Sequence, residues 1–242
     1  LPLAVMDKGD NGLILDPSYP SHRGGLVLAD AQVETLLLKE EEGLKPDFRA
    51  LSQSQLDQLK IMIFGFPHNP TAQIGEQKWL DEAMECGLRH HVVIAHDNPY
   101  LDLSLEGDAP ALLNCHGWKE WGIEFFSLSK AWSMGGFRVA FAIGAKDLIA
   151  SLRRVKSTVD FNQSLAVQKG AIEAISHCFD WPAQIREVYK QRRDVTLDAL
   201  TSLGWHVPVP SMAMYLWMPL PDWATKQDWG DEFFAAELLK NT

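Results

Sequence analysis

The chain has 242 residues, 46% of them hydrophobic, enough to bury a sizeable core as one large domain or as a domain with part of another. A formal net charge of -10 argues against nucleic acid or an anionic membrane surface as the main partner, yet leaves room for a local cation cluster facing an anionic cofactor. Cys86, Cys115 and Cys178 are odd in number, far apart and without a C-x-x-C, which speaks against a disulfide framework or a zinc site and fits a reducing compartment.

The chain opens on LPLAVMDKG, an apolar stretch without an initiator methionine. It closes on DWGDEFFAAELLKNT, an amphipathic helix without a Gly or Pro exit signal, so it is expected to be a piece of a longer protein. No run is long and apolar enough to span a bilayer, and no basic segment followed by an apolar one opens the chain, so a soluble, cytoplasmic protein is expected.

Six short apolar runs, each followed by polar or Pro/Gly punctuation, read as strands: GLILDP, QVETLLL, IMIFGFP, HVVIAHD, IEFFSLS and VAFAIG. Between the third and fourth, Trp79, Leu80, Ala83, Met84 and Leu88 recur at helical spacing, giving a βαβ unit with parallel strands. Only about ten residues join the last two runs, too few for a crossover helix, so that pair is expected to be antiparallel. The fold class is therefore α/β, with a mixed, mostly parallel sheet between helices as a three-layer sandwich.

After Lys146 the pattern turns helical, through KDLIASLRRVKS, SLAVQKGAIEAISHC and a long segment from Trp181 to Leu203. Alternating charge in REVYKQRRD reads as a solvated face, placing Arg192 and Arg193 in solvent. Gly204 and Pro208 end that helix, and MAMYLWMPLP reads as a strand of a second region. Residues 1–180 are expected to form a large domain lacking its N-terminal part, and residues 181–242 to start a smaller α+β domain.

Ligands of such sheets collect at the carboxyl ends of the strands. There the sequence places Tyr19, His22, Asn69, Asp97, Tyr100, Ser127, Ser129 and Lys130, with Arg138 eight positions after the lysine. His90, His91 and His96 lie in or beside a strand without a carboxylate at ligand spacing, which favours structural roles over a metal. Taken alone, S-x-S-K reads equally as a surface loop with solvated cations. As a set, the residues suit pyridoxal 5'-phosphate: an amine for its aldehyde, a carboxylate for its pyridine nitrogen, phenol and amide for its phenolic oxygen, Ser and Arg for its phosphate.

HNPTAQIG, HDNPY and SLSKAWSMGGFR resemble, in order, the N-P-T-G, D-x-x-Y and S-x-S-K…G-x-R segments of the fold-type I aminotransferases of class I/II, a resemblance that covers essentially the whole chain. It implies Lys130 as the Schiff-base lysine and, with Asp97 and Tyr100, as catalytic. It also implies Asn69 and Tyr100 on the phenolic oxygen, Asp97 on the pyridine nitrogen, and Ser127 and Arg138 on the phosphate. Ser129 reads equally as a phosphate hydroxyl or a turn residue. In DPSYPSH, Tyr19 matches the aromatic that stacks on the cofactor, against the alternative of a turn aromatic on the rim, and His22 is a candidate partner for Asp97. Ala72 stands where the family has glycine.

KSTVDFNQSLAVQKGAI, YKQRRD and GWHVPVPSMAMYLWMPLP are similar to the branch of LL-diaminopimelate and related alanine or glutamate aminotransferases. This resemblance implies transfer of an amino group between an amino acid and a 2-keto acid, in a homodimer, with the arginine that grips the substrate carboxylate beyond Thr242. The alternatives are a carbon-sulfur lyase on the same fold, or a pyridoxal-phosphate-binding regulatory domain, which would need a basic helix-turn-helix upstream.

Overall fold

The computed structural model describes residues 1–212 and 214–241. Six strands run β1 (Asn11–Asp16), β2 (Gln32–Leu37), β3 (Leu59–Phe64), β4 (Val93–Asp97), β5 (Gly122–Ser127) and β6 (Ala140–Gly144), one for each expected run. The first five helices are α1 (Pro2–Val5), α2 (Pro20–Leu28), α3 (Gln53–Gln58), α4 (Gln77–His90) and α5 (Trp118–Trp121). After β6 come α6 (Lys146–Val159), α7 (Leu165–His177), α8 (Trp181–Ser202), α9 (Asp222–Thr225) and α10 (Asp231–Asn241).

The strands form a single sheet in the order β2-β1-β3-β4-β5-β6, parallel except for β6, which pairs antiparallel with β5 as the short connection requires. β3 and β4 are buried nearly throughout, as strands covered by helices on both faces must be, whereas β2 and β6 at the edges are partly exposed. Side-chain alternation sorts the core into two layers. Leu13, Leu15, Met62, Phe64 and Ile94 pack with Trp79, Leu80, Ala83 and Met84 of α4. Ile14, Ile61, Ile63, Val93 and Ala95 face the other way, toward Leu26 of α2 and Leu148 of α6.

The sheet is mixed and mostly parallel, and the fold is α/β as expected. Two local expectations fail. MAMYLWMPLP forms no named strand among its described residues: only Met212 bridges, to Ser104, because no neighbouring strand offers a ladder, and Ala213 lies outside the described residues. Arg193 is not solvated. Its guanidinium is buried against Glu106 at 3.0 Å, Asp194 at 2.9 Å and the Pro210 carbonyl at 2.9 Å, pinning α8 to two loops. Among the described residues no helix is long and apolar enough to cross a membrane.

Candidate functional site

β1 sends the chain outward to β2 on one side, while β3 pairs on its other side, so a topological switch point opens between β1 and β3. The turns leaving β1, β3, β4 and β5, and the turn entering antiparallel β6, all emerge at that end of the sheet. Pairing of Ser127 with Ala140 brings Arg138, two residues upstream of Ala140, beside the end of β5.

A cavity of about 280 Å³ lies there, lined by Tyr19, His22, Asn69, Asp97, Tyr100, Ser127, Ser129, Lys130 and Arg138. These are the nine residues singled out in the sequence, brought together from four connections, those after β1, β3, β4 and β5. His68 and Tyr215 also line it; both lie in segments quoted from the sequence, HNPTAQIG and MAMYLWMPLP, but neither had been given a role.

Each wall has a local cause. Tyr19 caps α2, Pro20 opens the helix with a φ already suited to it, and His22 therefore lies in the first turn. From there its Nε2 reaches Asp97 Oδ2 at 3.2 Å, the expected pairing. The Tyr19 ring stands edge-on to the His22 ring at 5.9 Å and is 44% exposed, leaving surface free for another ring.

Beyond β3 the chain approaches the end of β4 so closely that a Cβ on Gly65 would lie 2.2 Å from the Asp97 carbonyl oxygen, so only glycine fits. The turn closes with Ala72 N–H donating to the His68 carbonyl at 2.9 Å. Ala72 holds φ 57, a left-handed backbone that costs a non-glycine residue about 1–2 kcal/mol, and its buried methyl packs with Tyr100 and Met212 in return. The replacement of glycine thus keeps the turn and adds a buttress under Tyr100. Burial, and after it the nearby His22, lowers the pKa of His68 to about 4.

Asn69 Nδ2 donates to the hydroxyls of Tyr100 at 3.4 Å and Tyr215 at 3.1 Å, and those hydroxyls lie 2.9 Å apart. The trio holds four hydrogens for three contacts, so one phenolic O–H is left over. Burial, and then the adjoining Tyr215 hydroxyl, pushes the Tyr100 phenol well above the ordinary tyrosine value. Lys130 Nζ sits over the Tyr100 ring, 5.8 Å from its centre. Ser127 Oγ accepts the Ser129 N–H at 3.1 Å, which folds S-x-S-K into a tight turn, and exposed Arg138 lies in the left-handed region with Nη1 donating to the Gly135 carbonyl at 2.9 Å.

The opposite face of β4 carries a second polar group that the sequence reading did not find. His96 and Glu124 are fully buried, with His96 Nδ1 2.8 Å from Glu124 Oε1, and Asn98 Nδ2 donates to the same oxygen at 2.8 Å. His96 Nε2 accepts the Phe66 N–H at 3.0 Å, so its hydrogen is on Nδ1 and points at Glu124. His90 pairs with Asp57 and His91 caps α4 in a left-handed turn, so these three histidines have structural partners.

The donor set fits pyridoxal 5'-phosphate. It offers one amine, one carboxylate backed by a histidine, an amide and phenol trio with one spare hydrogen for an oxygen anion, and two hydroxyls with a guanidinium for a phosphate.

The family model described as aminotransferase class I and II matches residues 1–241. Over 238 residues the chain is 37% identical to an LL-diaminopimelate aminotransferase of Dehalococcoides mccartyi, covering 98% of this chain and 60% of that one. It is 36% identical over 223 residues to the glutamate-pyruvate aminotransferase AlaC of Escherichia coli K12, covering 92% of this chain and 54% of that one. An aminotransferase structure from Staphylococcus aureus superposes with a TM-score of 0.89 at 29% identity, over 98% of this chain and 61% of that one. The chain thus spans 54–60% of the length of these two curated relatives, and they belong to the branch its later segments resemble.

Proposed function

We propose that this chain, which belongs to the aminotransferase class I and II family, is the cofactor-binding part of an enzyme that moves an amino group between an amino acid and a 2-keto acid. Family members use pyridoxal 5'-phosphate. The observation that carries the reading is the convergence of Lys130, Asp97, Asn69, Tyr100 and Arg138 on one cavity at the switch point of the sheet.

When bound, the cofactor supplies an aldehyde that can take up an amine and a ring that withdraws electrons from the carbon beside it. In this reading Asp97 keeps a proton on the ring nitrogen, and His22 holds the Asp97 carboxylate in place through its 3.2 Å contact. Tyr100 would hold the phenolic oxygen with its hydroxyl hydrogen, and Asn69 would do so by turning one Nδ2 hydrogen from a tyrosine hydroxyl to it. Ser127, Arg138 and the Ser129 turn would hold the phosphate, and the exposed Tyr19 ring would be the aromatic partner of the cofactor. Lys130 is the amine that would hold the aldehyde, and its free amine would move a proton at the substrate's α-carbon.

The proposal extends to a homodimer, a cytoplasmic location and a division at residues 180/181 between the cofactor-binding domain and a smaller one. Borohydride reduction with pyridoxal 5'-phosphate, followed by peptide mapping, tests the assignment. The label is expected on Lys130, and label on Lys146 or Lys156 instead would overturn it.

A further inference from the structure

Tyr215 is the cavity residue contributed from beyond α8, within MAMYLWMPLP and outside the three cofactor segments, and its hydroxyl touches both Asn69 and Tyr100. The hydrogen count limits what it can do. Both Asn69 Nδ2 hydrogens have acceptors in the two phenols, and the 2.9 Å contact between the phenols consumes one more. The hydrogen left over belongs either to Tyr100 or to Tyr215. An anionic oxygen in the cavity recruits it, because a charge-assisted bond outweighs a neutral one. Tyr100 is the phenol placed to deliver it: it follows Asp97 by three residues, and Lys130 Nζ lies over its ring.

We propose that Tyr215 is a positioning residue whose hydroxyl donates to the Tyr100 hydroxyl and so turns Tyr100's one hydrogen toward the cofactor's phenolic oxygen. The inference rests on the cofactor reading above. A phenol that accepts one hydrogen bond becomes a better donor in the next, and the gain is about 10–30% per bond. Tyr215 therefore works through Tyr100, and its effect should vanish when Tyr100 has no hydroxyl. Its ring stands edge-on to the Tyr100 ring at 5.9 Å, a contact that phenylalanine would keep.

The test is a pH titration of the visible absorbance of bound pyridoxal 5'-phosphate in the unsubstituted protein, Tyr215→Phe, Tyr100→Phe and the double variant. Donors to the phenolic oxygen hold its negative charge, so weakening one makes the neighbouring proton harder to lose and raises the pH midpoint. Tyr215→Phe is expected to raise it by about 0.1–0.6 pH unit, Tyr100→Phe by more, and the double variant by no more than Tyr100→Phe alone. An unmoved or lowered midpoint in Tyr215→Phe, or two shifts that add, overturns the proposal while the cofactor reading stands. If the unsubstituted protein takes up no cofactor and shows no visible absorbance, both are overturned.

Discussion

Replacing Glu124 by glutamine is expected to cost the fold about 2–5 kcal/mol, although the side chain never touches the cavity. Its Oε1 accepts from His96 Nδ1 and Asn98 Nδ2, each at 2.8 Å, and its Oε2 accepts the Leu113 N–H at 3.1 Å. A carboxylate satisfies all three donors. An amide has one oxygen and an NH₂, so in either orientation a donor meets a donor inside a fully buried site. Losing one bond to a charged acceptor costs about 1.5–3 kcal/mol, and an unmatched buried donor adds about 1–3 kcal/mol, less whatever relaxation recovers. Urea denaturation at neutral pH reads the loss directly, and for a chain of this length the melting temperature should fall by about 4–20 °C. The acid limb supplies a second signature. Burial alone would raise the Glu124 pKa, but the bonds from His96, Asn98 and Leu113 more than offset it and hold the carboxyl below its usual 4.5. With the folded pKa depressed, the unfolded chain binds more protons between the two values. The stability is therefore present above 4.5 and lost as pH falls through the lower folded value, a loss that Glu124→Gln should abolish. A loss below about 0.5 kcal/mol at pH 7, with an unchanged acid limb, would refute the network.

Asp97→Asn should leave cofactor uptake intact but slow transfer by orders of magnitude, because an amide carries no charge to keep the ring nitrogen protonated; single-turnover rates decide, and a loss under about threefold would mean that the carboxylate is not the ring's partner. His68, buried and lowered to about 4, stays unprotonated in the folded protein while the unfolded chain takes up a proton near 6.5, so stability is full above 6.5 and falls toward 4, by on the order of 3 kcal/mol. His68→Gln should flatten the change in denaturation midpoint between pH 7 and 5, and an unchanged slope would count against it.

Much of the sheet was legible because a parallel strand buried on both faces has to be apolar along its length, and IMIF and VVIA announce themselves between polar punctuation. The antiparallel β6 followed from loop length alone. MAMYLWMPLP shows the limit of that logic. Its composition suits a strand, but strand formation belongs to a pair, and Met212 finds only Ser104 across from it. Arg193 failed for a related reason. REVYKQRRD alternates in charge, yet a helix turns 100° per residue, so one arginine of an adjacent pair can face inward while the next faces water. The acceptors that let Arg193 go inside are Glu106, Asp194 and Pro210, and only one of them is adjacent in sequence.

The candidate site was legible where chemistry sits at strand ends, since topology then gathers it without any need to know side-chain directions. His22 reaching Asp97 could be anticipated from a helix that opens next to the switch point. Tyr215 and the pair of His96 with Glu124 could not, because each is defined by a partner from a distant segment, and His68, bonded to Thr71 in its own turn, is set apart only by its burial. The dipeptide His96-Asp97 shows why such partners matter. Strand alternation turns the two side chains to opposite faces of β4, so Asp97 meets His22 at the cavity while His96 meets Glu124 in the core. Phe66 N–H, bonded to His96, lies in the turn that delivers Asn69, and Asn98, bonded to Glu124, lies in the turn that delivers Tyr100. The buried network therefore ties down, from behind, the two turns whose amide and phenol face each other across the cavity. Apolar residues there would bury as well but would leave the Phe66 and Leu113 N–H groups without acceptors, which is a physical reason for a charge in the core behind this site.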